Sequence, residues 1–272
     1  MNVYRGCTHG CIYCDSRSHC YRMDHTFENI EVKENAAQIL DHQLSKRRHR
    51  CMIYTGAMCD PYLHIEEELN VTRMCNEVIS KHQFGLCIQT KSNRILRDID
   101  LLEEINEKSR CVVELTITTF DEKLCKIIEP NVCTSYERYL VLKECQRRHI
   151  PTVVWITPLI PFLNDTPENL LGILDYCVDS GVRGIVSFDF VLTLRDGNRE
   201  FFYNCLDKFF PGLKQDYIFQ FGQKYECFSP NRSQLTSLLK SVCDKYGIVS
   251  DTDKVFEFRS TFPRSLNQIS IW

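Results

Sequence analysis

Residues 2–17 read NVYRGCTHGCIYCDSR, with Cys7, Cys11 and Cys14 at the spacing Cys-x3-Cys-x2-Cys. Three thiolates this close can grip three irons of a cubane cluster and leave the fourth iron without a protein ligand. An open iron is what direct binding of a small molecule needs. Gly6 and Gly10 are expected to let the loop wrap closely round the bound group, where a Cβ would clash. Other readings stand beside this one. A structural zinc site needs a fourth ligand, for which Cys20, His9 and His19 are candidates, but zinc ligands usually come as two pairs and no Cys-x2-Cys follows. A disulfide suits an oxidising compartment, and sixteen cysteines raise the odds of any spacing by chance.

Outward from the loop, β-rich runs alternate with helical patterns. The runs 2–6, 51–55, 86–90, 112–118, 152–157 and 184–190 read as strands. The stretches 33–46, 66–81, 98–107, 135–149 and 167–180 carry apolar residues at helical spacing. Such alternation implies parallel strands joined by right-handed crossovers. Near-continuous apolar strands such as Val153–Ile156 fit a sheet covered on its outer face. Six such units make a barrel or part of one, and a doubly wound open sheet is the alternative. In both, function gathers at the C-terminal ends of the strands, where the cysteine loop falls.

The character changes after residue 194. A dense aromatic segment holds Phe201, Phe202, Tyr203, Phe209, Phe210, Tyr217, Phe219 and Phe221, and 233–246 reads as a helix. The tail 255–272 shows no clear period. We therefore expect a core over 1–194 and a helical C-terminal extension or cap over 195–272.

Composition narrows the class. The chain has 272 residues, 43% of them hydrophobic, enough for a sizeable core without staples. Its 33 basic and 36 acidic residues leave a net charge of -3, so no global field argues for nucleic acid. No apolar run is long enough to span a membrane, and the start lacks the apolar core of a signal peptide. The expected setting is cytoplasmic, with most cysteines as buried free thiols.

The cysteine spacing, with the aromatic Tyr13 before the last cysteine, resembles the signature of the radical S-adenosylmethionine (SAM) superfamily. The stretch 2–17 is similar to the branch related to spore photoproduct lyase, also labelled DNA repair photolyase-like. So, in the same order, are TGAMCDPYLHIEEELNVTR (55–73), TKSNRILRDIDLL (90–102), TITTFDEKLCKIIEPN (116–131) and ITPLIPFLND (156–165). LRDGNREFFY (194–203) and YECFSPN (225–231) resemble an unassigned subgroup.

The resemblance implies a partial (β/α)6 TIM-like barrel of radical SAM type. It implies a [4Fe-4S] cluster on Cys7, Cys11 and Cys14, with SAM chelating the open iron. One electron from the reduced cluster would split SAM to methionine and a 5′-deoxyadenosyl radical, which abstracts hydrogen from substrate. Tyr13 matches the aromatic that borders cluster and cofactor. Gly56 to Asp60 match the loop that meets the SAM amino group, with Cys59 at a contact position. Lys91 matches a lysine that meets the SAM carboxylate, Thr116 a hydroxyl contact, and Thr157 a position near the adenosine. Apart from the resemblance, Lys91 is an ordinary surface lysine, Thr116 strand filler and Asp60-Pro61 a turn. The implied partner is an electron donor such as flavodoxin or ferredoxin. The substrate is not named: family labels favour DNA, but the balanced charge does not. In the lyase a cysteine after the second strand donates hydrogen to a product radical. The matching position here is Ala57, so thymine-dimer repair is not supported.

Two basic runs, 46–50 and 146–149, follow helices, where cations complement the C-terminal dipole; phosphate contact is the alternative. Cys227 and Cys243, with Cys205, are candidates for an auxiliary cluster, but their wide, irregular spacing favours plain thiols. A non-catalytic zinc or iron–sulfur binding protein is the competing class.

Overall fold

The computed structural model describes residues 1–263. The chain opens with β1 (Tyr4–Arg5), which pairs antiparallel with β2 (Glu31–Val32) and not with the main sheet. The strand expected over 2–6 is thus a short ribbon. An Arg5–Glu31 ion pair at 3.2 Å lies across it.

After α1 (Ala36–Ser45) comes the sheet that organises the molecule. Strands β3 (Met52–Thr55), β4 (Gly85–Thr90), β5 (Cys111–Thr116), β6 (Thr152–Trp155) and β7 (Gly184–Val186) lie side by side in sequence order, all parallel. Their crossovers carry α2 (Glu66–Leu69), α3 (Val71–Lys81), α4 (Ile99–Lys108), α5 (Glu122–Ile128), α6 (Ser135–Arg147) and α7 (Pro167–Asp179). This is a partial TIM-like barrel, as expected. Alternate strand residues divide between two faces. Leu86, Ile88, Val113, Leu115, Val154 and Ile185 join the large core under the helices. Met52, Cys87, Val112, Val153 and Val186 form a separate inner core.

Two expected elements differ in length. The helix expected over 66–81 breaks at Asn70, whose φ of 54° is left-handed, a conformation asparagine tolerates. The buried Glu66 carboxylate then accepts from the amides of Thr72 (3.0 Å) and Arg73 (3.3 Å) at the start of α3. The strand expected over 184–190 stops at Val186. A turn at Phe188–Phe190 follows, which drives Phe190 into the large core.

The C-terminal part supplies β8 (Leu192–Thr193), α8 (Asn198–Phe209), α9 (Leu213–Phe221), β9 (Glu226–Cys227), α10 (Arg232–Tyr246) and α11 (Thr252–Ser260). The aromatic segment is helical: Phe202, Tyr217 and Phe221 pack in one core with Cys11, Ile12 and Tyr13 of the cysteine loop. Val249 forms a parallel bridge with Gly184 at the edge of the sheet. Helix α11, inside the tail that showed no period, packs Val255 into the inner core. The rest of that tail, 264–272, lies outside the described residues. Among the described residues no helix is long and apolar enough to cross a membrane.

Candidate metal and cofactor site

The cysteine loop runs between β1 and the C-terminal ends of the parallel strands, and backbone hydrogen bonds hold it. Cys7 N donates to Phe27 O (2.9 Å), Ile12 N to Ile128 O (2.9 Å) and Asn131 N to His9 O (3.1 Å). Cys11 is buried, and Cys7 and Cys14 are half-buried. The two glycines also have a role toward the protein itself. A Cβ at Gly6 would stand 2.6 Å from Phe27 O, and one at Gly10 would stand 3.1 Å from the Pro130 ring. Both admit neighbouring chain against the loop.

Burial, reinforced by Asp60, pushes the Cys7 thiol up to about 12. Burial drives Cys11 well above the usual thiol range, against the opposing pull of Lys91. Such thiols need the positive charge of a metal to become ligands. Among the described residues, the trio of His, Cys, Asp or Glu ligand atoms lying within 4.8 Å of one another is Asp24, His25 and Glu31. At least one pair of the three loop sulfurs therefore lies farther apart than that. A tetrahedral zinc, with Zn–S of about 2.3 Å, would hold its sulfurs roughly 3.8 Å apart. The three sulfurs are thus not gathered as a tetrahedral zinc would need them. The candidate fourth zinc ligands have other partners: His9 Nδ1 faces Asp60 (3.5 Å), His19 faces Asp196 (3.1 Å), and the Cys20 sulfur accepts from Arg195 (3.6 Å).

Lys91 ends up beside this loop. Its Nζ lies 5.8 Å from the centroid of the Tyr13 ring. Burial works against its charge, but Cys11 and Glu129 outweigh it and raise its pKa. Among the described residues its ammonium has no hydrogen-bond acceptor. Asp60 has a different place: its buried carboxylate accepts from Thr90 Oγ1 (2.6 Å), Tyr62 N (2.9 Å) and Lys91 N (2.7 Å). It ties the loop after β3 to the end of β4. Thr116 is the last residue of β5, in register with Trp155, and is buried. Gly56 has a φ of 98°, and a Cβ there would fall 1.9 Å from Gln89 O, so the loop after β3 presses on β4. The buried Cys59 thiol donates to Gly6 O (2.6 Å), just before Cys7. Thr157 follows β6 and is joined to Pro158 by a cis bond. Ala57 is exposed.

Two residues at this site escaped the sequence reading. Glu129, 1% exposed, accepts the Tyr13 hydroxyl and pairs with Arg138 at 2.5 Å. Arg138, with no exposed surface, donates to the carbonyls of Lys91 (2.9 Å), Thr116 (3.0 Å) and Cys133 (2.7 Å). The signal was present: Arg138 stands on the α6 stripe of Ser135, Val141, Leu142 and Cys145, where a charge is out of place.

The other candidates lie apart. Arg47 to Arg50 precede β3, at the end of the sheet opposite the cysteine loop, and are exposed. Cys243 belongs to the large core and Cys227 to the core behind the cysteine loop.

The profile of the radical SAM superfamily matches residues 1–177. The chain is 33% identical over 174 residues to an uncharacterized protein of Methanocaldococcus jannaschii, covering 63% of this chain and 64% of that one. It is 26% identical over 223 residues to an uncharacterized protein of Mycobacterium tuberculosis, covering 80% of this chain and 65% of that one. The match thus spans just under two thirds of the length of these curated relatives. Among solved structures, a cysteine-to-serine mutant of spore photoproduct lyase is similar at a TM-score of 0.64, with 11% identity, 92% of this chain and 74% of that one covered. The same lyase complexed with dinucleoside spore photoproduct gives 0.62, with 11% identity, 91% and 74%. These likenesses show the fold.

Proposed function

The chain belongs to the radical SAM superfamily, and from that premise we propose that it is an enzyme holding a [4Fe-4S] cluster on Cys7, Cys11 and Cys14, with SAM beside it. The observation that carries the reading is Lys91: a half-buried lysine whose ammonium lies 5.8 Å from the Tyr13 ring centroid, beside the cysteine loop, with no acceptor of its own among the described residues. When bound, the cluster and SAM supply the one-electron chemistry that yields a 5′-deoxyadenosyl radical for hydrogen abstraction.

The chain's own residues bind, orient and exclude water. Lys91 would hold the cofactor carboxylate by a charge-assisted contact. Tyr13 walls the cluster side, its ring fixed because Glu129 holds its hydroxyl. Thr116 offers a hydroxyl from the end of β5, and Thr157 lines the adenosine side. Gly56 and Cys59 shape the loop that faces the amino group, and Asp60 fixes the Lys91 backbone. The core of Phe202, Tyr217 and Phe221 packs behind the loop and keeps water from that side.

The same reading includes a core over 1–194 with an extension over 195–272, a cytoplasmic setting, and a flavodoxin or ferredoxin as reductant. The substrate stays unidentified; the net charge of -3 gives no support to nucleic acid.

The test is anaerobic reconstitution with iron and sulfide, then metal analysis and SAM binding for wild type and Lys91→Ala. The expected result is about four irons per chain in both, with SAM bound about tenfold more weakly by the variant. A protein that keeps zinc instead, or that ignores SAM with its cluster full, overturns the reading.

A further inference from the structure

We propose that Arg138 is a positioning residue: by neutralising Glu129 it leaves the Lys91 ammonium available to an incoming carboxylate. The inference rests on the reading of Lys91 given above and goes beyond it, because Arg138 itself has no surface with which to touch a ligand.

Three charged side chains are packed together here. Glu129, the anion, pairs with Arg138 and accepts the Tyr13 hydroxyl, and the Lys91 ammonium lies 5.8 Å from the centroid of that same Tyr13 ring. A buried carboxylate without a cation is costly, so it takes whichever partner is nearest. Arg138 occupies that place at 2.5 Å, with side-chain exposure of 0% for both residues. Its remaining donors hold the carbonyls of Lys91, Thr116 and Cys133, which keep the guanidinium from turning away. These three side chains together carry one net positive charge, on Lys91. Without Arg138 the cation left beside Glu129 is Lys91, and an ion pair between them would compete with any ligand carboxylate. The single guanidinium also joins the ends of β4 and β5. The charge balance at Lys91 therefore depends on one residue.

The experiment compares two ligands on the cluster-loaded protein: SAM, and 5′-methylthioadenosine, which lacks the amino-acid carboxylate. Iron content and dissociation constants are measured for wild type, Arg138→Gln, Arg138→Lys and the double variant Arg138→Gln with Glu129→Gln. Arg138→Gln is expected to weaken SAM by about tenfold or more, with iron content and methylthioadenosine affinity unchanged. Arg138→Lys keeps the charge and is expected to keep SAM affinity, whatever it loses in melting temperature. The double variant removes the competing carboxylate and is expected to recover most of the SAM affinity.

Equal weakening of both ligands would make Arg138 merely structural, and so would a double variant no better than Arg138→Gln. Unchanged SAM affinity in Arg138→Gln would also overturn the proposal. Should Arg138→Gln not fold, Glu129→Gln alone decides: SAM affinity is expected to hold or rise, and a drop contradicts the account. A wild-type protein that binds no SAM fails the earlier reading instead. Wild type that binds SAM, with Lys91→Ala weakened and Arg138→Gln not, fails this inference alone.

Discussion

Arg259 Nε on α11 lies 3.0 Å from the Glu114 carboxylate on β5, an ion pair across the inner face of the sheet. Trp155 Nε1 donates to the same carboxylate at 3.1 Å, and the guanidinium lies 4.8 Å from the Tyr54 ring centroid. Burial pushes the Glu114 carboxyl up, with Arg259 opposing. The last described helix is therefore bound into the barrel through its central strand. Arg259→Met should cost about 3 kcal/mol, because it leaves a buried acid without its cation. Arg259→Met combined with Glu114→Gln should cost less than the two single changes summed, measured by urea unfolding. Strict additivity would mean that the pair does not interact.

Gly56 and Gly212 make a matched pair for testing the loop after β3. Both have positive φ, 98° and 94°, but a Cβ at Gly56 meets Gln89 O at 1.9 Å while one at Gly212 meets nothing within 4 Å. Gly212→Ala should cost only the left-handed backbone strain, about 1–2 kcal/mol. Gly56→Ala adds a clash with main chain and should cost clearly more, or prevent folding. Thermal melts that rank the two the other way would show that the strands do not press together there.

Glu144 sets part of the acid dependence. Hydrogen bonds from Arg147 and then Arg148 hold its carboxyl down to about 2, against an ordinary 4.5. A folded pKa below the unfolded one stabilises above pH 4.5, and this is lost as pH falls towards 2. Glu144→Gln should therefore lower stability at neutral pH and leave it unchanged near pH 2. The group is largely solvent-screened, so the difference should stay below about 1 kcal/mol and shrink with salt. Urea melts across that range check it; equal curves at every pH would remove the contribution.

Much of this arrangement was legible in the residues. The strands of the main sheet announced themselves as apolar β-branched runs, and the cysteine spacing fixed attention on the loop at their C-terminal ends. Lys91 was found through the resemblance; its place against the Tyr13 ring was not visible, since a lysine after a strand is ordinarily solvated. The ribbon β1–β2 was half missed because Glu31–Val32 is too short to show a period. A helical extension was expected over 195–272, but aromatic density obscured the bounds of α8 and α9, and a tail with little amphipathic pattern obscured α11. Asp60 read as a turn residue with a ligand role, yet its carboxylate closes three hydrogen bonds that only tertiary structure brings together. Arg138 and Glu129 are nine residues apart in sequence and were overlooked. The charged residue on a buried helix stripe is the signal that the sequence holds for Arg138.

The central claim is tested most directly by 5′-deoxyadenosine. The protein is reconstituted anaerobically with iron and sulfide, reduced with dithionite and given SAM, in parallel with Cys11→Ala. The account predicts 5′-deoxyadenosine from wild type and none above background from the variant, which should keep the wild-type circular dichroism spectrum. Equal amounts from both, or none from a wild type carrying its full iron, would contradict it.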